Sequence, residues 1–205
     1  MALVRSLVMA AALAGAVPAC ADPLDQWARN IAEASSRFRI PRQWIRRVIR
    51  AESDGQTMIA GRPIVSRAGA MGLMQLMPGT WLEMRSALGL GNDPFDPHDN
   101  IIAGTAYLRS MYVRFGYPGL FAAYNAGPAR YAAFLSGTSA LPTETRAYVA
   151  NIVPGGDPFG ASASSVPLKL LDLGARRDGE GGGPRRVRGS SSDGLFVEMS
   201  RFGAL

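Results

Sequence analysis

Apolar positions recur along this chain at the spacing of helices rather than strands. Leu24, Trp27, Ala28, Ile31 and Ala34 share one face and predict a helix over residues 24–38. Pro41 stands where the first turn of a helix accepts proline, and the next helix runs from there to about Glu52. Residues 53–70, rich in Gly, Ser and Pro, read as loop. The run GLMQLM (72–77) reads as a short apolar helical piece, and Pro78-Gly79-Thr80 opens a helix through about Leu88. After a loop over 89–97, Asp99 or Asn100 is the expected cap of a long helix to Phe115, with Ile101, Thr105, Leu108, Tyr112 and Phe115 on one stripe. A short helix over 120–125 is broken by Gly127-Pro128, another starts at Ala129 and runs to Leu135, and a last one spans Thr143 to Ile152. No run alternates convincingly as a strand. The expected fold class is therefore all-α, one domain of several short helices over residues 22–153.

Both ends depart from this pattern. Met1 to Arg5 carries one positive charge, Leu7 to Val17 is apolar but too short to span a bilayer, and Ala19-Cys20-Ala21 fits a small-residue cleavage site. Residues 1–21 are thus expected to be a signal peptide, directing the chain to the periplasm or beyond, in preference to a buried first helix. Cys20 is the one cysteine, so cleavage after Ala21 leaves no thiol and no disulfide. A lipid anchor on Cys20 is the second reading, disfavoured by Pro18 within a poor lipidation signal. At the other end, residues 154–205 are rich in Gly, Ser and Arg and read as a disordered low-complexity tail. Its last stretch, GLFVEMSRFGAL, is more apolar, either a docking segment or a frayed terminus.

Apolar residues make up 47% of the chain and charged ones 19%, which permits a core. The formal net charge is +6, and all basic residues but Lys169 are arginine. Such a surface suits an anionic partner, whether nucleic acid, lipid headgroups or an acidic polymer, and composition does not choose among them.

One residue breaks the helical pattern in a way that bears on chemistry. At about 100° per residue, Trp44, Ile45, Val48 and Ile49 form one arc of the second helix, with Gln43, Arg46, Arg47 and Arg50 opposite. Glu52 falls in the apolar arc, between Val48 and Ile45, where a core pattern would place leucine. Burial raises the pKa of a carboxyl, and the negative end of the helix dipole pushes the same way. Both effects suit a general acid. On this feature alone a glutamate frayed into solvent, or paired with an arginine, is the commoner situation, and other residues must decide.

Several chemistries are excluded. His98 is the one histidine, no G-x-S-x-G elbow accompanies it, and no G-x-x-x-x-G-K-[ST] phosphate loop is present. The stretch DPHDN (96–100) reads as a turn and cap rather than a zinc site. No basic strand interleaved with aromatics points to nucleic acid. What remains is a set of polar and aromatic groups on otherwise apolar helix ends: Gln75 within a Met- and Leu-rich run, Tyr124 and Asn125 before a Gly-Pro break, and Glu144 and Tyr148 one turn apart. Each has a bland reading as core or packing. Together they suit a sugar, bound by stacking and hydrogen bonds.

Glu52-Ser53, GLMQLMP (72–78), AYNAGP (123–128) and ETRAY (144–148) resemble, in order, the motifs of the soluble lytic transglycosylase (SLT) domain, over about residues 25–153. The resemblance implies the goose-type lysozyme fold and peptidoglycan glycan strands as substrate, cut between N-acetylmuramic acid and N-acetylglucosamine. Glu52 matches the catalytic glutamate, first acid and then base, with the muramoyl C6 hydroxyl closing on C1 to give a 1,6-anhydro sugar. A nucleophile supplied by the sugar agrees with the single carboxylate in an apolar setting, since ordinary glycosidases need two. By the same resemblance Gln75, Met77, Tyr124, Asn125, Glu144 and Tyr148 line the substrate site, and Ser66 matches a serine that steadies the sugar. Between Glu52 and Ser66, SDGQTMIAGRPIV is longer than the family's usual spacer. No cofactor or metal is implied, and a monomer is expected. The short layout resembles the small wall-cutting enzymes of conjugation and type IV secretion machines, with the tail as the segment that would meet the machine. The rival readings are a hydrolytic goose-type lysozyme and a non-catalytic wall-binding or secretion-adaptor protein.

Overall fold

A computed structural model describes residues 22–156 and 158–159. The expected export segment, and the tail other than residues 154–156 and 158–159, lie outside the described residues. A 3₁₀ turn (Asp25–Trp27) leads into α1 (Ala28–Phe38), followed by α2 (Arg42–Ser53), α3 (Pro78–Leu88), α4 (Pro97–Phe115), α5 (Gly119–Ala126), α6 (Pro128–Leu135) and α7 (Thr143–Ile152). Among the described residues no helix is long and apolar enough to cross a membrane.

The 19-residue α4 is the central strut. Its Ile101, Ile102, Ala103, Gly104, Thr105, Ala106, Leu108 and Met111 are all buried, because α1, α3 and α5 pack around it. A helix covered on several sides cannot show a single apolar stripe. Its close packing has a steric signature: a Cβ on Gly104 would stand 2.6 Å from the Met74 Cβ. α5 carries the packing onward, to α6 and α7, and α2 meets α7. In α2 the buried residues are Ile45, Val48, Ile49 and Ser53. The helix ends where Asp54 turns left-handed at φ 51° and donates its N–H to the Arg50 carbonyl. Aspartate tolerates that conformation better than most residues.

Three expectations are corrected. Residues 53–70 contain a hairpin, β1 (Met58–Ile59) antiparallel to β2 (Arg62–Pro63). Its turn residues Ala60 and Gly61 both take positive φ, as a tight two-residue hairpin turn requires. Strands of two residues are too short to alternate visibly. Residues 72–77 are not helical: isolated bridges Val65↔Met71 and Met71↔Leu76 enclose a turn in which Gly72 and Gln75 have φ of 73° and 47°. Finally, α4 is capped by Asp96, whose carboxylate accepts the Asp99 N–H at 2.8 Å, with Pro97 in the first turn. Neither Asp99 nor Asn100 is the cap. Packing also runs past residue 153, since Phe159 meets Tyr131 and Phe134 edge-on with centroids 6.0 and 5.8 Å away.

Asn100 has a different role. It is fully buried, and its side-chain oxygen accepts the Met74 N–H at 2.8 Å. Its NH2 donates to the carbonyls of Met71 (3.1 Å) and Pro94 (2.9 Å). One amide thus completes the backbone hydrogen bonding of the 71–76 turn, which lies outside any helix, and ties the turn to Pro94. Gly72 is needed here: its φ is positive, and a Cβ would stand 2.7 Å from the Asn100 amide carbon. Asn100→Ala leaves the Met74 N–H and the Pro94 carbonyl without this partner, the Met71 carbonyl still accepting the Leu76 N–H, and is expected to lower unfolding free energy by about 3 kcal/mol in urea titration.

Candidate active site

The C-terminal turn of α2 delivers Glu52 to a junction of α2, α5, α7 and the 71–76 turn. Ser53, next in line, is buried: its hydroxyl lies 2.8 Å from the Leu73 carbonyl and 3.2 Å from that of Ile49. It ties the end of the helix to the turn. From α5, the Tyr124 hydroxyl donates to the Met74 carbonyl at 2.7 Å and fixes the turn from a second side. From α7, the buried Tyr148 hydroxyl lies near enough to the Glu52 carboxyl to lower its pKa, and makes no hydrogen bond of full geometry.

This environment sets the acidity of Glu52. Burial raises its pKa from 4.5 to about 7; the Tyr148 hydroxyl pulls it down and the negative charge of Glu144 pushes it up. Tyr124 and Tyr148 are themselves held well above 10, by burial first and by the charge of Glu52 second. Near neutral pH the site therefore contains a carboxyl balanced between its two forms and two neutral phenols. That is the setting of a general acid which can also accept a proton.

The other expected site residues are spread around this centre. Gln75 sits on the turn at positive φ, half-buried, with its amide donating to the Gly72 carbonyl at 2.8 Å. A non-glycine residue held there is backbone strain of the kind found at binding sites. Met77 is 46% exposed at the start of α3, and Asn125 is half-buried near the end of α5. Glu144, in the first turn of α7, is exposed and reaches Glu52 through its field. Ser66 is exposed, and the contacts it makes stay within its own turn: its hydroxyl accepts the Ala70 N–H at 3.0 Å, and its N–H donates to the Ala70 carbonyl at 2.9 Å.

Ser53, Asn100, Tyr107 and Glu83 are not singled out by the sequence as site residues. The Tyr107 ring lies 5.3 Å from that of Tyr124 at 55°, and burial, then the charge of Glu83, pushes its hydroxyl to about 12. Glu83 itself is raised by partial burial. The metal-like look of residues 96–99 resolves into structural contacts. Asp96, His98 and Asp99 bring ligand atoms within 4.8 Å of one another, yet Asp96 caps α4 and His98 bridges Asp99 (2.9 Å) and Glu33 of α1 (3.1 Å).

The chain matches the Transglycosylase SLT domain family over residues 29–146, more than half of its length. It belongs to that family. This SLT domain is 38% identical to the soluble lytic murein transglycosylase of Escherichia coli (strain K12), over 56% of this chain and 20% of that protein. It is 37% identical to the transglycosylase of Enterobacteria phage PRD1, over 44% of this chain and 31% of that protein. Among solved structures it is similar to the 70 kDa soluble lytic transglycosylase SLT70 from Escherichia coli, with a TM-score of 0.55 and 32% identity, covering 64% of this chain and 23% of that one. It is also similar to lytic transglycosylase Slt from Pseudomonas aeruginosa, solved as an inactive glutamate-to-glutamine mutant, with a TM-score of 0.54, 31% identity and coverage of 64% and 23%. The SLT domain chain thus spans about a fifth to a third of the length of these relatives. The helical, lysozyme-like architecture expected from the sequence is the one observed.

The raised pKa of Glu52 makes a stability prediction with a definite sign. Unfolded, Glu52 ionises near 4.5; folded, near 7. Its contribution is complete below 4.5 and is lost as pH rises through 7, a difference of about 3 kcal/mol. Glu52→Gln carries no such penalty. Urea titrations should show the variant more stable than the parent by up to about 3 kcal/mol near pH 8, with the gap closing near pH 4.

Proposed function

We propose that this SLT domain chain is a lytic transglycosylase that cuts the glycan strands of peptidoglycan between N-acetylmuramic acid and N-acetylglucosamine, without consuming water. The observation that carries the reading is Glu52: a half-buried carboxyl at an apolar junction, shifted to about 7, beside two neutral tyrosines. The relatives' printed names, soluble lytic murein transglycosylase and transglycosylase, support the reaction class. Glu52 gives its proton to the glycosidic oxygen as the C1–O bond breaks. The same carboxylate then takes the proton of the muramoyl C6 hydroxyl, whose oxygen bonds to C1. The proton count at Glu52 is restored and a 1,6-anhydro end is formed. The export-type segment at residues 1–21 would deliver the chain to this polymer.

The tyrosines have separate tasks in this scheme. Tyr148 donates toward the Glu52 carboxylate that forms in mid-reaction. Tyr124 holds the Met74 carbonyl, and through it the turn that carries Gln75, at the edge of the site. A hydrolytic reading is favoured by one observation: Glu144 is a second carboxylate close enough to act on Glu52. Its exposure counts against a role as the base that activates water.

The products decide between these readings. Incubated with purified peptidoglycan, the chain should release anhydro-muramoyl ends by mass spectrometry, and reducing muramic ends would establish hydrolysis instead. Glu52→Gln should lower the rate by on the order of 10²–10⁴-fold. The starting state requires protonated Glu52, so activity should fall on the order of tenfold per pH unit above about 7.

A further inference from the structure

One aromatic cluster takes no part in the site. Trp44, in the first turn of α2, stacks on Tyr117 with ring centroids 5.1 Å apart and planes at 21°. Tyr112 and Phe121 meet the same indole edge-on at 5.5 and 5.9 Å. Phe121 is fully buried, but Tyr117 is 46% exposed and Val113, four residues earlier, 41%. Apolar and aromatic surface left open to water in this way, with charged groups around it, marks an interaction site. Charge says of what kind. No Asp or Glu occurs between Asp99 and Glu144, whereas Arg109, Arg114 and Arg130 do. The Arg109 guanidinium lies 5.4 Å from the Tyr112 ring centroid, and that of Arg114 lies 4.9 Å from the Phe115 centroid. On α2, Arg42 and Arg47 flank Trp44 in the sequence. The patch therefore fits an apolar segment that carries acids.

The chain contains such a segment. DGLFVEM (193–199) sets Leu195, Phe196 and Val197 between Asp193 and Glu198. A second apolar stretch outside the described residues, VPLKLLDL (166–173), balances Lys169 against Asp172 and has no net charge to match the arginines. The path also favours a contact within one molecule. After α7, Phe159 lies against Tyr131 and Phe134, with centroids 6.0 and 5.8 Å away, and Tyr131 meets Phe115 edge-on at 5.1 Å. Phe115 is two residues from Tyr117, so the described chain ends on aromatics that neighbour the patch. Residues 160–192 separate that point from Asp193. A chain of this length spans up to about 100 Å when extended, more than a domain of this size measures across.

We propose that residues 193–199 dock on this patch in the same chain, with Leu195 and Phe196 against Val113 and Tyr117, and with Asp193 and Glu198 toward the surrounding arginines. The segment is then a brace. α2 carries Trp44 at its start and Glu52 near its end, and α5 carries Phe121 and, three residues on, Tyr124. Docking holds both helices at the ends away from Glu52 and Tyr124. The inference does not depend on the chemistry assigned to Glu52.

A spin label tests it. Cys20 is the one cysteine, so residues 22–205 contain none, and Ser192→Cys takes a single nitroxide beside the segment. In the isotopically labelled chain of residues 22–205, the label should attenuate the amide NMR signals of Val113 and Tyr117 and the indole signal of Trp44. Signals around His98, at the other end of the 19-residue α4, should keep their intensity. Phe196→Ser should lower the docked-to-free ratio about tenfold. Val113→Asp, at an exposed position, should also lower it, by setting a like charge against Asp193 and Glu198. Leu170→Ser should leave it unchanged. No attenuation at the patch, or attenuation spread evenly over the domain, overturns the proposal and leaves the patch to an external partner. A loss with Leu170→Ser as large as that with Phe196→Ser transfers the patch to residues 166–173 and overturns it as well. So does attenuation of an isotopically labelled chain by a separate spin-labelled one, which means that a second copy supplies the segment.

Discussion

The rest of this structure depends on keeping one ionisable carboxyl largely shielded from water. Glu52 occupies a leucine-like position on the apolar arc of α2, and its acidity follows from that placement more than from any neighbouring charge. Burial of a carboxyl costs stability unless it stays protonated. The fold accepts that cost by placing two neutral phenols beside the group, of which Tyr148 offsets only part of the rise that burial causes. A cation there would bring the pKa back down and remove the acid.

The surroundings must be rigid for this to work, yet the part of the site that carries Gln75 is neither helix nor sheet. Its order comes from three side chains on three helices. Ser53 of α2 meets the Leu73 carbonyl, Asn100 of α4 meets Met71 and Met74, and Tyr124 of α5 meets the other side of Met74. Each helix is itself fixed by the core, so the turn inherits its position from the bundle. This is why a strained residue such as Gln75, at φ 47°, persists in the native state.

The helices were legible because their apolar spacing is local, and α2 could be placed on a wheel well enough to single out Glu52. The 71–76 turn was not legible. GLMQLM has the composition of a helix, and what replaces one is two short-range bridges and the Asn100 clamp, which reaches it from 26 and 29 positions along the chain. Asn100 itself looked like a cap because it lies at the start of a helix, and only burial shows its amide facing inward. Tyr107 was missed for a related reason. α4 is covered on several sides, so a reading that looks for one stripe overlooks residues such as Tyr107 that pack outside it. Ser66 shows the opposite limit: a motif match gives its place in the chain, while the contacts that hold it belong to its own turn.

The arginines pose the last problem. A chain with 22 basic residues and a catalytic-type glutamate on an arginine-rich helix risks pairing the two. Helix geometry prevents it. Arg46 and Arg50 lie on the side of α2 away from Glu52, and there they meet acids from the segment before α1. Arg46 contacts Asp22 at 2.6 Å and Asp25 at 3.0 Å, and Arg50 contacts Asp22 at 2.5 Å. The Leu24 N–H and these guanidiniums hold Asp22 below its ordinary range, so it stays ionised over the range in which Glu52 titrates. These ion pairs are partly exposed and add little stability on their own. Their effect is on direction: they engage Arg46 and Arg50 on the far face of the helix. The chain's basic character thus coexists with a carboxyl whose pKa stays raised to about 7.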